Sequence, residues 1–229
     1  MMGEDKNNDG IGEPVMKYEK PDVGKEYPVK VPQTTDEFNN KKMGLQWQWH
    51  ANPKQRWYEL NGKGKLRLNT VQNLTQKGNM WFVPNLLLQK FPAPSFQVTT
   101  KITFHGDKTG DKSGLIIMGE EWGYIAFNKT DHGTEIGMYE GTHNQCKDPT
   151  QAIETTSVDT STCYLRVSVN SSGICHFSYS LNNRDFHILG KEFRAKKGVW
   201  IGAKVGLFSI NPNIQESKGY ATFDWFRFD

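Results

Sequence analysis

Long apolar runs, a cysteine framework and a dominant charge are all missing from this chain of 229 residues. No stretch approaches the ~20 apolar residues of a membrane-spanning helix, and the first residues lack the apolar core of a secretory signal. The cysteines, Cys146, Cys163 and Cys175, are only three, an odd number that implies no disulfide framework, so they read as buried free thiols. Lys plus Arg number 28 against 25 Asp plus Glu, a net charge of +3. The basic residues are interleaved with acids rather than gathered on one element, which sets a nucleic-acid interface aside.

Catalytic signatures are missing too. Glycoside hydrolysis needs two carboxyl groups roughly 5 to 9 Å apart across a cleft, and no Glu-x-Asp-x-x-Glu run supplies them on one strand face. Glu120 and Glu121 are adjacent, so in a strand they point to opposite faces. Asp148, Glu154 and Asp159 fall in a polar, Thr-rich stretch that reads as loop. There is no Gly-x-Ser-x-Gly elbow, His-Glu-x-x-His or Cys-x-x-Cys, and His50, His105, His132, His143, His176 and His187 are scattered.

What the chain does have is short alternating apolar runs between turn residues. They read as strands at Trp57 to Leu60, Leu66 to Leu68, Met80 to Phe91, Phe96 to His105, Gly114 to Met118 and Trp122 to Asn128. Others follow at Glu135 to Glu140, Cys163 to Val169, Ile174 to Leu181, Trp200 to Phe208 and Tyr220 to Phe228, with an Asn182-Asn183 turn after Leu181. Without an amphipathic helix, this pattern predicts an all-β sandwich or barrel, with the concanavalin A-like jelly roll of two antiparallel sheets as first choice. Residues 1–33, with Pro14, Pro21, Pro28 and Pro32, read as an extended tail or linker, and 34–229 as one sandwich domain.

Three segments carry a resemblance: Leu45 to Pro53, Gly202 to Phe208 and Ala221 to Phe226. They resemble the β-sandwich that follows the five-bladed propeller in family 43 glycoside hydrolases, a group of xylosidases and arabinofuranosidases. Asp9 to Val15 likewise looks like the last strand of that propeller, so the resemblance implies a chain beginning where the enzyme ends. It implies a non-catalytic accessory domain of a bacterial, secreted or periplasmic enzyme acting on xylan or arabinoxylan, with the propeller as partner. An independent carbohydrate-binding module, taking xylo- or arabino-oligosaccharides, is the alternative; a stand-alone glycosidase is a third reading. An insert, Asn211 to Gly219, departs from the family at a loop where relatives could meet their catalytic domain.

Aromatic residues at 12%, including 7 Trp, suit a core and a sugar-stacking surface equally, so period two has to assign faces. It puts Leu45, Trp47 and Trp49 inward and Gln46, Gln48 and His50 outward. It likewise puts Cys163, Leu165, Val167 and Val169 inward with Cys175, Phe177 and Tyr179, leaving Tyr164, Arg166, His176 and Ser178 outward. Simple register sets Cys175 opposite residue 168. Ile125 and Phe127 read as core, so Trp122 and Tyr124 are expected to face solvent as sugar platforms. Together Trp122, Tyr124, Tyr164, Arg166, His176, Gln46, Gln48 and His50 form the expected carbohydrate surface. By resemblance, Asp36 on the first sandwich strand and Asp224 on the last are expected to hold a structural Ca²⁺ through oxygen ligands.

Overall fold

A computed structural model describes every residue except 1, 16, 18, 20–21, 25–27, 29, 73–77, 144–149 and 214–215, so Cys146 and Asp148 lie outside the described residues. The chain divides into two compact units, Met1–Pro32 and Gln33–Asp229. In the first, an isolated bridge joins Met2 to Pro14, and the Asp5 carboxylate accepts from the Asp9 and Gly10 amides at 3.2 and 2.8 Å. Asn8 and Gly10 take the positive φ values, 56° and 86°, that turn the chain there.

The second unit is a sandwich. Its strands are β1 (Gln48–Trp49), β2 (Tyr58–Leu60), β3 (Leu66–Asn69), β4 (Val71–Gln72), β5 (Leu87–Lys90), β6 (Phe96–His105), β7 (Lys112–Met118) and β8 (Glu121–Thr130). They continue with β9 (Gly133–Thr142), β10 (Thr150–Ser157), β11 (Thr162–Val169), β12 (Ile174–Ser180), β13 (His187–Ile188), β14 (Phe193–Arg194), β15 (Lys204–Asn211) and β16 (Tyr220–Phe228). One sheet runs β1-β5-β15-β7-β8-β9-β10, with β4 also pairing with β15, and the other runs β13-β12-β11-β6-β16-β3-β2, with β14 also pairing with β12. All of these pairings are antiparallel except that of β4 with β15.

The main core fills the space between the sheets with Leu115, Ile117, Ile125 and Phe127 from one and Ile102, Leu165, Val167 and Phe223 from the other. A second core lies on the outer face of the first sheet, where Leu88, Ile116, Met118, Trp122, Tyr124 and Phe208 are covered by Met80, Val83 and Leu86. The covering segment is a 3-10 turn, Met80–Phe82, capped by Asn79, followed by chain held down by Asn85 Nδ2 on the Ser209 carbonyl at 2.9 Å. Met80 to Phe91 is therefore a strand only over β5 (Leu87–Lys90). A sheet buried on both faces reads as unbroken apolar sequence, which is what Leu86-Leu87-Leu88 and Leu115-Ile116-Ile117-Met118 are.

The second sheet obeys the alternation read from sequence. Cys163, Leu165, Val167, Val169, Cys175 and Phe177 are buried, with Tyr179 packed beside them, while Tyr164, Arg166 and His176 lie half-buried on the other face. Ser178 is buried on that outer face. The β11–β12 loop, Asn170 to Gly173, has four residues and ends in Gly173 at φ 76°, which moves the register by one and sets Cys175 opposite Val169 rather than residue 168. Burial pushes both thiols up, Cys175 to about 12.

Asp36 closes the sandwich at its start. Its N–H and C=O exchange two 2.8 Å hydrogen bonds with Phe226 of β16, and its carboxylate accepts from the Phe38 amide (2.8 Å), Trp47 Nε1 (2.8 Å) and Gln46 Nε2 (3.1 Å). Trp47 thus reaches the core against Phe226, with ring centroids 5.0 Å apart. Leu45, in a turn rather than a strand, is 103% exposed, contrary to the inward placement period two gives it. Replacing Asp36 by Ala strands the buried Trp47 N–H and is expected to cost about 1–3 kcal/mol, measured as a lower urea midpoint with an unchanged slope.

Candidate functional site

An apolar pocket of about 230 Å³ opens where the cover of the first sheet ends. His50, just after β1, Trp81 of the 3-10 turn, Met118 and Gly119 at the end of β7, and Lys204 at the start of β15 form its floor. The loop from Gly198 to Gly202 forms its other wall. That loop presents Val199, Trp200 and Ile201 at 50%, 93% and 45% exposure, three exposed apolar residues in succession. Its approach is fixed by Gly119, where a Cβ would run into the Lys196 carbonyl, and by Glu120, whose amide donates to the Lys197 carbonyl at 3.0 Å.

Two histidines flank Trp81. His50 Nε2 lies 3.0 Å from the Trp81 carbonyl, and the His143 ring packs 5.0 Å from the indole, its Nδ1 3.1 Å from the Glu120 carbonyl. Burial holds the His50 pKa below 6.5, opposed by the bond to the Trp81 carbonyl and reinforced by the Lys204 charge. Lys204 is itself lowered, first by burial and then by Lys90. A His50 ring whose charged form is disfavoured by burial, beside exposed indole, favours contact with another apolar surface, because little charge has to be stripped of water.

The expected carbohydrate surface does not come together. Trp122 and Tyr124 are buried in the second core: Trp122 Nε1 donates to Thr150 Oγ1 at 3.1 Å, and Tyr124 stacks on Tyr139 at 4.9 Å. Period two placed them on the correct side of the sheet, but that side is covered rather than solvated. Gln46 is engaged with Asp36, Gln48 pairs with Leu88 in β1, and His50 joins the pocket. Tyr164, Arg166 and His176 remain on the outer face of the second sheet. There Tyr164 sits 6.0 Å from Trp225, Arg166 donates to Thr99 Oγ1 at 2.9 Å with its guanidinium over Phe186, and His176 lies 3.6 Å from Glu192.

Asp36 and Asp224 do not fit a calcium ion. Both Asp36 carboxylate oxygens already accept N–H groups. Asp224 is the extra residue of a β-bulge, held by Lys101 at 2.8 Å and Lys65 at 3.0 Å, whose charges would repel a cation. Burial raises its pKa, but the hydrogen bonds from these lysines outweigh that and leave it below its ordinary value. Among the described residues no group of three His, Cys, Asp or Glu is placed to hold a metal ion. The Asn211 to Gly219 insert is tied down where it is described: Asn211 Nδ2 and Ser217 Oγ both donate to the buried Asp111 carboxylate at 2.7 Å.

The residues that sequence reading missed are Trp81, Trp200 and Lys204. Trp81 and Trp200 were placed in strands, and the signal against that for Trp200 is an apolar triplet enclosed by Gly198 and Gly202.

Residues 35–229 match the model of the beta xylosidase C-terminal concanavalin A-like domain family. A beta-xylosidase of Formosa agariphila is 31% identical over the whole of this chain and 40% of its own length. Among solved structures, a bifunctional GH43-CE protein of Bacteroides eggerthii is 25% identical with a TM-score of 0.75, over 85% of this chain and 25% of that one. A xylan beta-1,4-xylosidase of Bacillus halodurans shares the fold at 18% identity and a TM-score of 0.73, over 96% of this chain and 43% of that one. The chain spans well under half the length of the curated relatives it matches.

Because the folded state disfavours protonated His50, the stability that depends on its neutral form is fully present above its unfolded value of 6.5. It is lost as pH falls through the lower folded value. NMR titration is expected to place the His50 midpoint below 6.5, and a His50→Gln variant should lose less stability than wild type on acidification over that range.

Proposed function

The chain belongs to the family of beta xylosidase C-terminal concanavalin A-like domains, and from that premise we propose that it is a non-catalytic accessory sandwich that docks on the catalytic propeller of a family 43 enzyme acting on xylan or arabinoxylan. The observation that carries this reading is the Val199-Trp200-Ile201 tip. A tryptophan held almost wholly in water beside an apolar pocket is the composition of a binding hot spot, where one buried indole dominates the energy of an interface. Reaching outward on a loop, the same tip lends an aromatic wall to the rim of the partner's substrate pocket. The carboxylates nearest to open grooves support a non-catalytic role. Glu140, which lines a groove of about 270 Å³ with Glu121 and Glu192, is ion-paired with Lys191 at 2.7 Å.

The test is association of this chain with the propeller of its parent enzyme, expressed separately and followed by calorimetry. Trp200→Ser is expected to weaken binding at least tenfold, about 1.4 kcal/mol, with an unchanged melting temperature because nothing in the fold rests on that side chain. Failure of the wild-type chain to bind the propeller, or equal binding by the variant, overturns the reading. The Tyr164, Arg166 and His176 face supports a second reading, an independent carbohydrate module. Xylo-oligosaccharide binding by the chain alone that is lost in Tyr164→Ala would put that reading first.

A further inference from the structure

On the outer face of the first sheet, Lys112 of β7, Asn128 of β8 and Glu135 of β9 are cross-strand partners in one row. The next row on that face is Gly114, Ala126 and Gly137, and the one after it Ile116, Tyr124 and Tyr139. The small row leaves a trough, and Tyr139 lies back along its own strand into it. A Cβ on Gly137 would collide with the Tyr139 ring, and the Tyr139 hydroxyl donates to Glu135 Oε1 at 3.3 Å. Lys112 Nζ then sits over the Tyr139 ring, 3.9 Å from its centroid.

Beside this arrangement is a cavity of about 210 Å³, walled by Lys112, Tyr124, Tyr139, Thr150, Ile210 and Pro212. The polar groups of the cavity and of the row that borders it are poorly matched by the protein. Lys112 makes no ion pair among the described residues. Tyr124, 2% exposed, donates no hydrogen bond among them, and Asn128 Oδ1 is buried without a partner. A desolvated cation is costly unless an anion meets it, and the cost is visible in the Lys112 pKa, which burial lowers to about 8 against the pull of Glu135. Lys112 also lines a second pocket, with Lys129 of β8 and with Asp131 and His132 of the β8–β9 turn.

We propose that this cavity binds a single carboxylate-bearing pyranose, a uronic acid, with its carboxylate on Lys112 Nζ, a hydroxyl on Tyr124 Oη and its C–H face against Ile210 and Pro212. The space is larger than an inorganic anion fills, and its apolar wall has nothing to offer one. That the anion is carried by a sugar rests on the polysaccharide reading above; that Lys112 takes an anion does not. The site is separate from the Trp200 tip, so failure of docking and failure of this site are independent results.

The experiment is calorimetric titration of this chain at pH 7 with D-glucuronate, D-xylose, acetate and sulfate. Glucuronate is expected to saturate one site, with xylose, acetate and sulfate each at least tenfold weaker. Lys112→Met should abolish binding while keeping the apolar stem packed, and Tyr124→Phe should weaken it several-fold. Should Lys112→Met not fold, raising the wild-type chain to pH 9.5 removes the same charge, and affinity should fall about tenfold per pH unit above pH 8. No saturable glucuronate binding, or binding indifferent to both Lys112→Met and pH, overturns the proposal. Xylose as tight as glucuronate overturns the role of the carboxylate, and acetate or sulfate as tight overturns that of the sugar ring.

Discussion

The first sheet has to be buried on both faces, and most of the molecule follows from that constraint. Its inner face meets the second sheet, as in any sandwich, but its outer face carries Leu88, Ile116, Met118, Trp122, Tyr124 and Phe208. Left in water, side chains of this size would each forfeit about 1.5–3 kcal/mol. The segment from Asn79 to Leu86 supplies the cover, and its two buried asparagines are each half matched, leaving Asn79 Nδ2 and Asn85 Oδ1 without a partner among the described residues. Asn79 caps its own turn by accepting from the Trp81 amide at 3.0 Å, and Asn85 Nδ2 donates to the Ser209 carbonyl at 2.9 Å. The pocket beside Trp81 exists because this cover stops there, leaving an indole edge and two histidines at the boundary between core and water.

The second sheet has no such cover over most of its outer face, and the contrast decides what could be read from sequence. Where one face meets water, period two is a sufficient signal: Cys163 to Val169 and Ile174 to Tyr179 are oriented as alternation dictates. Where both faces are buried, alternation still separates the two sides but cannot say whether the far side is wet. Trp122 and Tyr124 were misjudged for that reason, although the neighbouring run Leu115 to Met118 carries the contrary signal.

Other departures have local causes. The β10 strand, Thr150–Ser157, is an edge strand whose side chains are half-buried or exposed, so its polar, Thr-rich sequence with Glu154 resembles a loop. The Trp200 tip resembles a strand because its three apolar residues would suit one, and only the enclosing glycines mark it as a turn. The hairpin register of β11 and β12 depended on loop length, which Gly173 sets by taking a left-handed φ. The Asp36 cluster was legible as residue types but not as chemistry: a carboxylate near the last strand suits a cation ligand or an acceptor for indole and amide N–H groups, and only the structure distinguishes them.

The bridge between Asp36 and Phe226 also has a mechanical meaning. It is the first pairing of the sandwich after Gln33, and it grips the chain on the final strand. Just ahead of it Gln89 Nε2 of β5 donates to the Thr34 carbonyl at 2.9 Å and the Phe228 amide of β16 to Thr35 Oγ1 at 3.0 Å, so tension arriving through the preceding segment would be shared between both sheets and the Asp36 bridge. Residues 34 to 38 therefore spread such a load over β5 and β16 together rather than concentrating it on a single hydrogen bond.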